Sequence, residues 1–200
     1  MNVAVFIYDN VEAIDFIGPH SVFYFANKTT KSNIFNFFTF SGKKGLISTQ
    51  SGLNVVAEYS IEDAKRKEIE ILIIPGGSGS RNLIYNDEIL NELKSVINKS
   101  KVVLSVCTGA LILTKLGLVS HKNITSHRNV VELIQLLDNS VEVDTFATVI
   151  KTDKIYTTAG VCTGIDGALE VLKEYVNMNV IDEIKKDLYY IGGENVRSNF

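Results

Sequence analysis

Three short apolar runs, each broken by a turn and followed by a helical pattern, leave few folds open to this chain. They are Asn2 to Tyr8 (NVAVFIY), Glu70 to Ile74 (EILII) and Lys101 to Val106 (KVVLSV). A strand covered on both faces reads as a continuous β-branched and aliphatic run instead of an alternating one. Each run ends in a polar, glycine-marked or proline-marked turn. The repeated order of strand, turn and helix predicts one doubly wound α/β domain over residues 1–200, with a mostly parallel sheet.

The third run carries the chemistry. Lys101 to Gly117 reads KVVLSVCTGALILTKLG: a strand, a sharp turn at Cys107, and a helix from Ala110 that Gly117 stops. Cys107 thus falls at the carboxyl end of the sheet, where open α/β sheets bind ligands. A strand-to-helix elbow lifts one side chain clear of the sheet, and the small residues Gly109 and Ala110 let the helix pack close behind it. A helix N-terminus beside the sulfur favours thiolate over thiol, so the expectation is a nucleophilic cysteine. A buried packing cysteine fits the same run equally well.

The other candidates gather on the same sheet edge. Asp15 is expected in the loop after the first strand, with Pro19 in the first turn of the helix that follows. Asp15 reads as a carboxylate beside Cys107 or as a helix cap. The third run's neighbour ends in Pro75-Gly76-Gly77-Ser78-Gly79, which has neither phosphate-loop pattern. Its better use is an oxyanion or anion pocket, with the Gly77 N–H paired with that of Thr108 and Gly76 alongside. His127 follows the short strand-like Asn123 to Ser126 and is the histidine best placed to line the site. The sequence V-C-T-G occurs twice, at 106–109 and 161–164, and Cys162 is expected to be a small packing residue.

Coarser features fill in the rest. Asn33 to Phe40 is a second strand, and Leu46–Thr49 with Leu53–Tyr59 forms a hairpin around Gln50-Ser51-Gly52. Ser60 and Asn86 start helices, and Asn177 or Asn179 starts the last one. Val141 to Ile150 is expected as two strands and 192–200 as a surface tail. The net charge of −3, without a basic stripe, argues against nucleic acid or an anionic membrane as partner. The N-terminus lacks the pattern of a signal peptide, and two cysteines make no disulfide framework, so the expected location is cytoplasmic. No His-x-x-x-His or Cys-x-x-Cys pair suggests a metal, and no cofactor is expected.

Together, Asp15-Phe16-Ile17-Gly18-Pro19, Ile74-Pro75-Gly76-Gly77, Ser105-Val106-Cys107-Thr108-Gly109-Ala110, Thr125-Ser126-His127 and Thr158-Ala159-Gly160 resemble the ThiJ/PfpI family of the glutamine-amidotransferase-like superfamily. The resemblance implies a flavodoxin-like sandwich, a homodimer, and a nucleophilic cysteine with an acidic neighbour from the first loop. The D-x-x-G-P and C-T-G-A elements are similar to the isonitrile hydratase branch, whose functional positions are Cys107, Thr108 and Asp15 here. That branch implies addition of water to an isonitrile through a thioimidate on Cys107, with a small molecule as substrate. Arg128 departs from the aromatic residue such sequences often carry after the histidine, and is expected to put a charged group near the pocket. Glyoxalase or deglycase chemistry on 2-oxoaldehydes, and a non-catalytic cysteine sensor of oxidants or small molecules, stand as alternatives.

Overall fold

The computed structural model describes residues 1–192 and 196–198. The first strand, Asn2–Phe6 (β1), is buried from Val3 onwards. A loop then crosses its carboxyl end into Ile14–Thr30 (α1), which Lys31 closes in the left-handed region. Asp15 is therefore not in the loop but in the first turn of α1. Pro19 is the sixth residue of α1 instead of a first-turn residue. Its missing N–H leaves only the Asp15 carbonyl without a helical donor, a small cost so near the helix start.

Asn36–Ser41 (β2) pairs parallel with β1. Gly45–Ser48 (β3) and Asn54–Ala57 (β4) form the antiparallel hairpin around Gly52. Tyr59–Ser60 (β5) adds to the edge of β2. Ser60 then starts Ile61–Ala64 (α2): its Oγ accepts the Asp63 N–H, and the Asp63 carboxylate accepts the Ser60 N–H, each at 3.2 Å. Ile71–Ile74 (β6) leads through the glycine loop to Ser80–Leu83 (α3). Asp87–Lys99 (α4) starts at Asn86, whose side chain accepts the Ile89 N–H, and buries Leu90, Leu93, Val96 and Ile97 on one face.

Val102–Val106 (β7), wholly buried, runs into a single 3-10 turn at Cys107–Gly109 and then Ala110–Lys115 (α5). Beyond Gly117, in the left-handed region, come Asn123–Ile124 (β8), Val131–Leu137 (α6) and Glu142–Val143 (β9). Val149–Thr152 (β10) and Ile155–Thr158 (β11) form a hairpin. The two strands expected across 141–150 are thus reduced to β9 and β10. Between them the Asp144 carboxylate accepts the N–H groups of Phe146 and Ala147, which bends the chain out of any ladder. Thr163–Leu172 (α7) and Met178–Asp187 (α8) follow, the latter capped by Asn177. The tail, expected only at the surface, supplies Val196–Ser198 (β12), which pairs parallel with β10. The rest of that expectation, at 193–195 and 199–200, lies outside the described residues.

Eight of these strands make one sheet in the order β12-β10-β11-β7-β6-β1-β2-β5, parallel throughout except between β10 and β11. The three runs that define the sequence pattern are neighbours at its centre. From β1 the chain moves outwards to β2, and from β6 it moves the other way to β7. Right-handed crossovers then put α1 and α4 on opposite faces. α1, α7 and α8 pack together on the first face. The carboxyl ends of β1, β6 and β7 meet where the winding reverses, and the connections after them must splay apart there.

Candidate active site

That crevice holds Cys107, and β7 dictates its posture. Five buried residues commit the strand to the sheet, yet α5 must start at once on one face. The chain turns within one residue, and Cys107 takes φ = 57°, a conformation that L-residues avoid at a cost of about 1–3 kcal/mol. The Ser126 hydroxyl accepts no role at the sulfur but donates to the Cys107 carbonyl at 2.9 Å, holding the elbow from below.

The first turn of α1 delivers Asp15, which is completely buried. Its Oδ2 accepts the Gly76 N–H at 2.9 Å, so it caps the glycine loop and not its own helix. Its Oδ1 has no ordinary hydrogen-bond partner among the described residues, and the carboxyl faces the Cys107 thiol. Burial pushes the Asp15 carboxyl up to about 7, and the Gly76 bond and the facing Cys107 thiol offset only part of that. Burial likewise pushes the Cys107 thiol up to about 12, with the Asp15 charge adding to it. The N–H groups of Val161 and Thr108 face the sulfur and work against this rise, without overcoming it. The thiolate expected from the helix start is therefore corrected to a resting thiol: one short turn of helix is weaker than burial beside a carboxylate. Asp15 and Cys107 between them hold at most one negative charge near neutrality.

Thr108 interlocks the elbow with the glycine loop. Its Oγ1 accepts the Gly77 N–H and the Ser80 hydroxyl, both at 2.9 Å, and stands 3.1 Å from the Gly77 carbonyl. The Gly77 N–H, expected as half of an anion pocket, is thus turned to Thr108 and not to the sulfur. Val161 takes that place beside the Thr108 N–H. Val161 belongs to the second V-C-T-G, so the two copies meet across the sulfur. Gly76 is required here for space: a Cβ would stand 2.5 Å from the Thr108 backbone nitrogen and 3.0 Å from Asp15 Oδ2. Below the loop, buried Tyr8 donates its hydroxyl to the carbonyls of Pro75 and Gly76 at 2.8 and 3.0 Å.

A pocket of about 170 Å³ opens above Cys107, lined by Glu12, Gln50, Gly77, Ser78, Arg81, Thr108, His127, Asn129 and Val161. His127 Nδ1 accepts the Asn129 N–H at 3.3 Å, so the proton of the neutral ring sits on Nε2. Gly160 separates ring and sulfur: a Cβ there would lie 3.0 Å from His127 Cδ2 and 3.8 Å from Cys107 Sγ. Arg128, expected near the pocket, is exposed and does not line it. Cys162, expected as a packing residue, is exposed. Glu12, Gln50, Arg81 and Val161 were not legible as site residues. The one signal was positional, since Arg81 lies just past the glycine loop and Val161 just past Gly160. Among the described residues no cluster of three His, Cys, Asp or Glu is arranged to hold a metal ion, and no helix is long and apolar enough to cross a membrane.

Comparison with known proteins follows the same lines. The chain is 27% identical to the isonitrile hydratase of Pseudomonas putida over 144 residues, 72% of this chain and 61% of that one. It thus spans less than two thirds of that relative. It is 25% identical to a glutathione-independent glyoxalase of Caenorhabditis elegans, over 64% of this chain and 66% of the other. In fold it matches a ThiJ/PfpI family protein from Pseudomonas syringae with a TM-score of 0.82 at 22% identity, covering 96% of this chain and 75% of that one. The DJ-1/PfpI family profile matches residues 1–174, and the chain belongs to the DJ-1/PfpI family.

Proposed function

We propose that this protein is a hydratase that adds water to a small isonitrile, with Cys107 as nucleophile and Asp15 as proton carrier. The observation that carries this reading is the pairing of a resting thiol with a fully buried carboxyl that faces it and that burial raises to about 7. Such a carboxyl can accept a proton in one step and return it in the next, a service worth roughly 10²–10⁴-fold in rate.

Sγ attacks the terminal carbon of R–NC while its proton passes to ionised Asp15. The acid so formed protonates that same carbon, giving the thioimidate Cys–S–CH=N–R. A water then adds across the C=N bond, its oxygen to carbon and a proton to nitrogen. The C–S bond breaks as the hydroxyl proton returns through Asp15 to sulfur. The product is R–NH–CHO, and Cys107 ends as a thiol. The N–H groups of Thr108 and Val161 stabilise the departing sulfur as charge grows on it. Thr108 keeps the elbow and the glycine loop in register.

Glyoxalase-type chemistry on a 2-oxoaldehyde is the second reading, favoured by His127 across Gly160 from the sulfur. One assay separates the two. The protein is incubated with an alkyl isonitrile or with methylglyoxal, and the formamide or lactate is followed by NMR, with Cys107→Ser as control. Formamide produced only by the wild type supports the hydratase. Lactate without formamide replaces it with the second reading.

A further inference from the structure

Among the described residues, Arg81 is the one arginine or lysine that lines the pocket above Cys107. The ion pairs among the described residues are all made by lysines. Arg81 is half-buried and makes no ion pair or side-chain hydrogen bond among the described residues. A guanidinium carries five donors in a fixed planar fork, a poor group to leave idle at the wall of a small cavity.

The obvious structural partner is present and is not used. Glu12 lines the same pocket, but its carboxylate is turned to the Gln50 side-chain amide and to the Ile14 N–H. Gln50 in turn accepts the Ser78 N–H at 2.8 Å. This chain of bonds ties Glu12 to the rim, away from Arg81. The pocket therefore presents one fixed anion and one unengaged cation, with the reacting sulfur at its floor. Its volume of about 170 Å³ has room for on the order of six water-sized groups. A molecule that small, held at the sulfur, also reaches the wall.

We infer that Arg81 is a specificity residue that takes the carboxylate of an anionic substrate, so that the electrophile consumed at Cys107 is a short isocyano-carboxylate. The isocyano-carboxylate part of this rests on the hydratase reading; the recognition of an anion by Arg81 does not. Arg81 touches the end of the substrate remote from the reacting carbon, and its contribution is to hold that carbon over Sγ.

The test uses two alkylating agents of matched size, iodoacetate and iodoacetamide, with the Cys107 peptide read by mass spectrometry so that exposed Cys162 does not interfere. The ratio of the two rates reports anion recognition without needing turnover. Arg81→Gln should lower the iodoacetate-to-iodoacetamide ratio about tenfold, the scale of one charge-assisted contact, and Arg81→Lys should restore most of it. Added salt should lower the ratio in the wild type and leave it flat in Arg81→Gln. A general loosening of the fold would raise both rates together and leave the ratio alone. A ratio unchanged by Arg81→Gln, or insensitive to salt in the wild type, overturns the inference. In parallel, the wild type should hydrate an isocyano-carboxylate with a higher kcat/KM than a neutral isonitrile of equal length. If neither isonitrile turns over while the alkylation ratio still falls, the hydratase reading fails and the anion site stands. If both turn over with equal kcat/KM and the ratio does not move, the hydratase reading stands and Arg81 has no such role.

Discussion

Replacing Asp15 by asparagine should raise stability at high pH and leave it unchanged at low pH. The substitution keeps the shape, and the amide oxygen can accept the Gly76 N–H as Oδ2 does at 2.9 Å. It removes a charge from a completely buried site. In the wild type the folded carboxyl is raised from 3.8 to about 7, so the folded chain keeps a proton that the unfolded chain has already released. Stability therefore falls as pH climbs between about 4 and 7 and is level above that window. At about 1.4 kcal/mol per pH unit, the full span is worth about 4 kcal/mol. Asp15→Asn escapes that loss. Urea unfolding at pH 4.5 and pH 8 measures it: with a slope of about 2 kcal/mol per molar, the variant's midpoint should lead the wild type's by about 2 M at pH 8 and by little at pH 4.5. The same substitution removes a charge that holds the thiol up, so iodoacetamide should label Cys107 faster in the variant at pH 8. A stability gap that is the same at both pH values, or a variant less stable at pH 8, would refute the reasoning.

Cys107→Ser should abolish formamide production, since a serine hydroxyl stays protonated at neutral pH unless a dedicated base activates it; residual turnover above one hundredth of wild type would count against the nucleophile. Thr108→Val strands the Gly77 N–H in a buried site, while the Ser80 hydroxyl keeps the Gly77 carbonyl as acceptor at 2.8 Å, and should cost about 1–3 kcal/mol by denaturant unfolding. Gly160→Ala places a methyl 3.0 Å from the His127 ring and 3.8 Å from Sγ. It should raise KM for any Cys107 substrate while the far-UV circular dichroism stays unchanged. Ile14, Ile17 and Tyr24 leave an exposed apolar stripe along α1, and sedimentation at micromolar concentration should give twice the mass of one chain; a monomer there would dispose of the expected homodimer.

Much of the framework was legible because it depends on local patterns. Continuous apolar runs announced β1, β6 and β7, Asn86 and Ser60 announced helix starts, and a small-residue step after Val106 announced the elbow at Cys107. The signals that misled were also local. Asp15 was placed one element too early, and the start of α1 too late relative to Pro19, because a helix start without a side-chain cap leaves no mark. Val141 to Ile150 has strand-like composition, yet the Asp144 turn breaks it.

What residue spacing determines by itself is which segments are strands and helices and which turn carries a cysteine, since those follow from backbone sterics and the period of apolar side chains. The charge state at the site is another matter. Whether Cys107 rests as thiol or thiolate depends on the balance between desolvation, the Asp15 carboxyl 92 positions earlier, and the N–H of Val161, 54 positions later. The same holds for the Gly77 N–H, turned from the sulfur by Thr108, and for Arg81, which has no partner among the described residues while Gln50 holds Glu12. These are long-range contacts across the reversal point of the sheet. Their energies depend on distance and burial, which no residue carries in its own neighbourhood of the chain, and so only the tertiary structure could decide them.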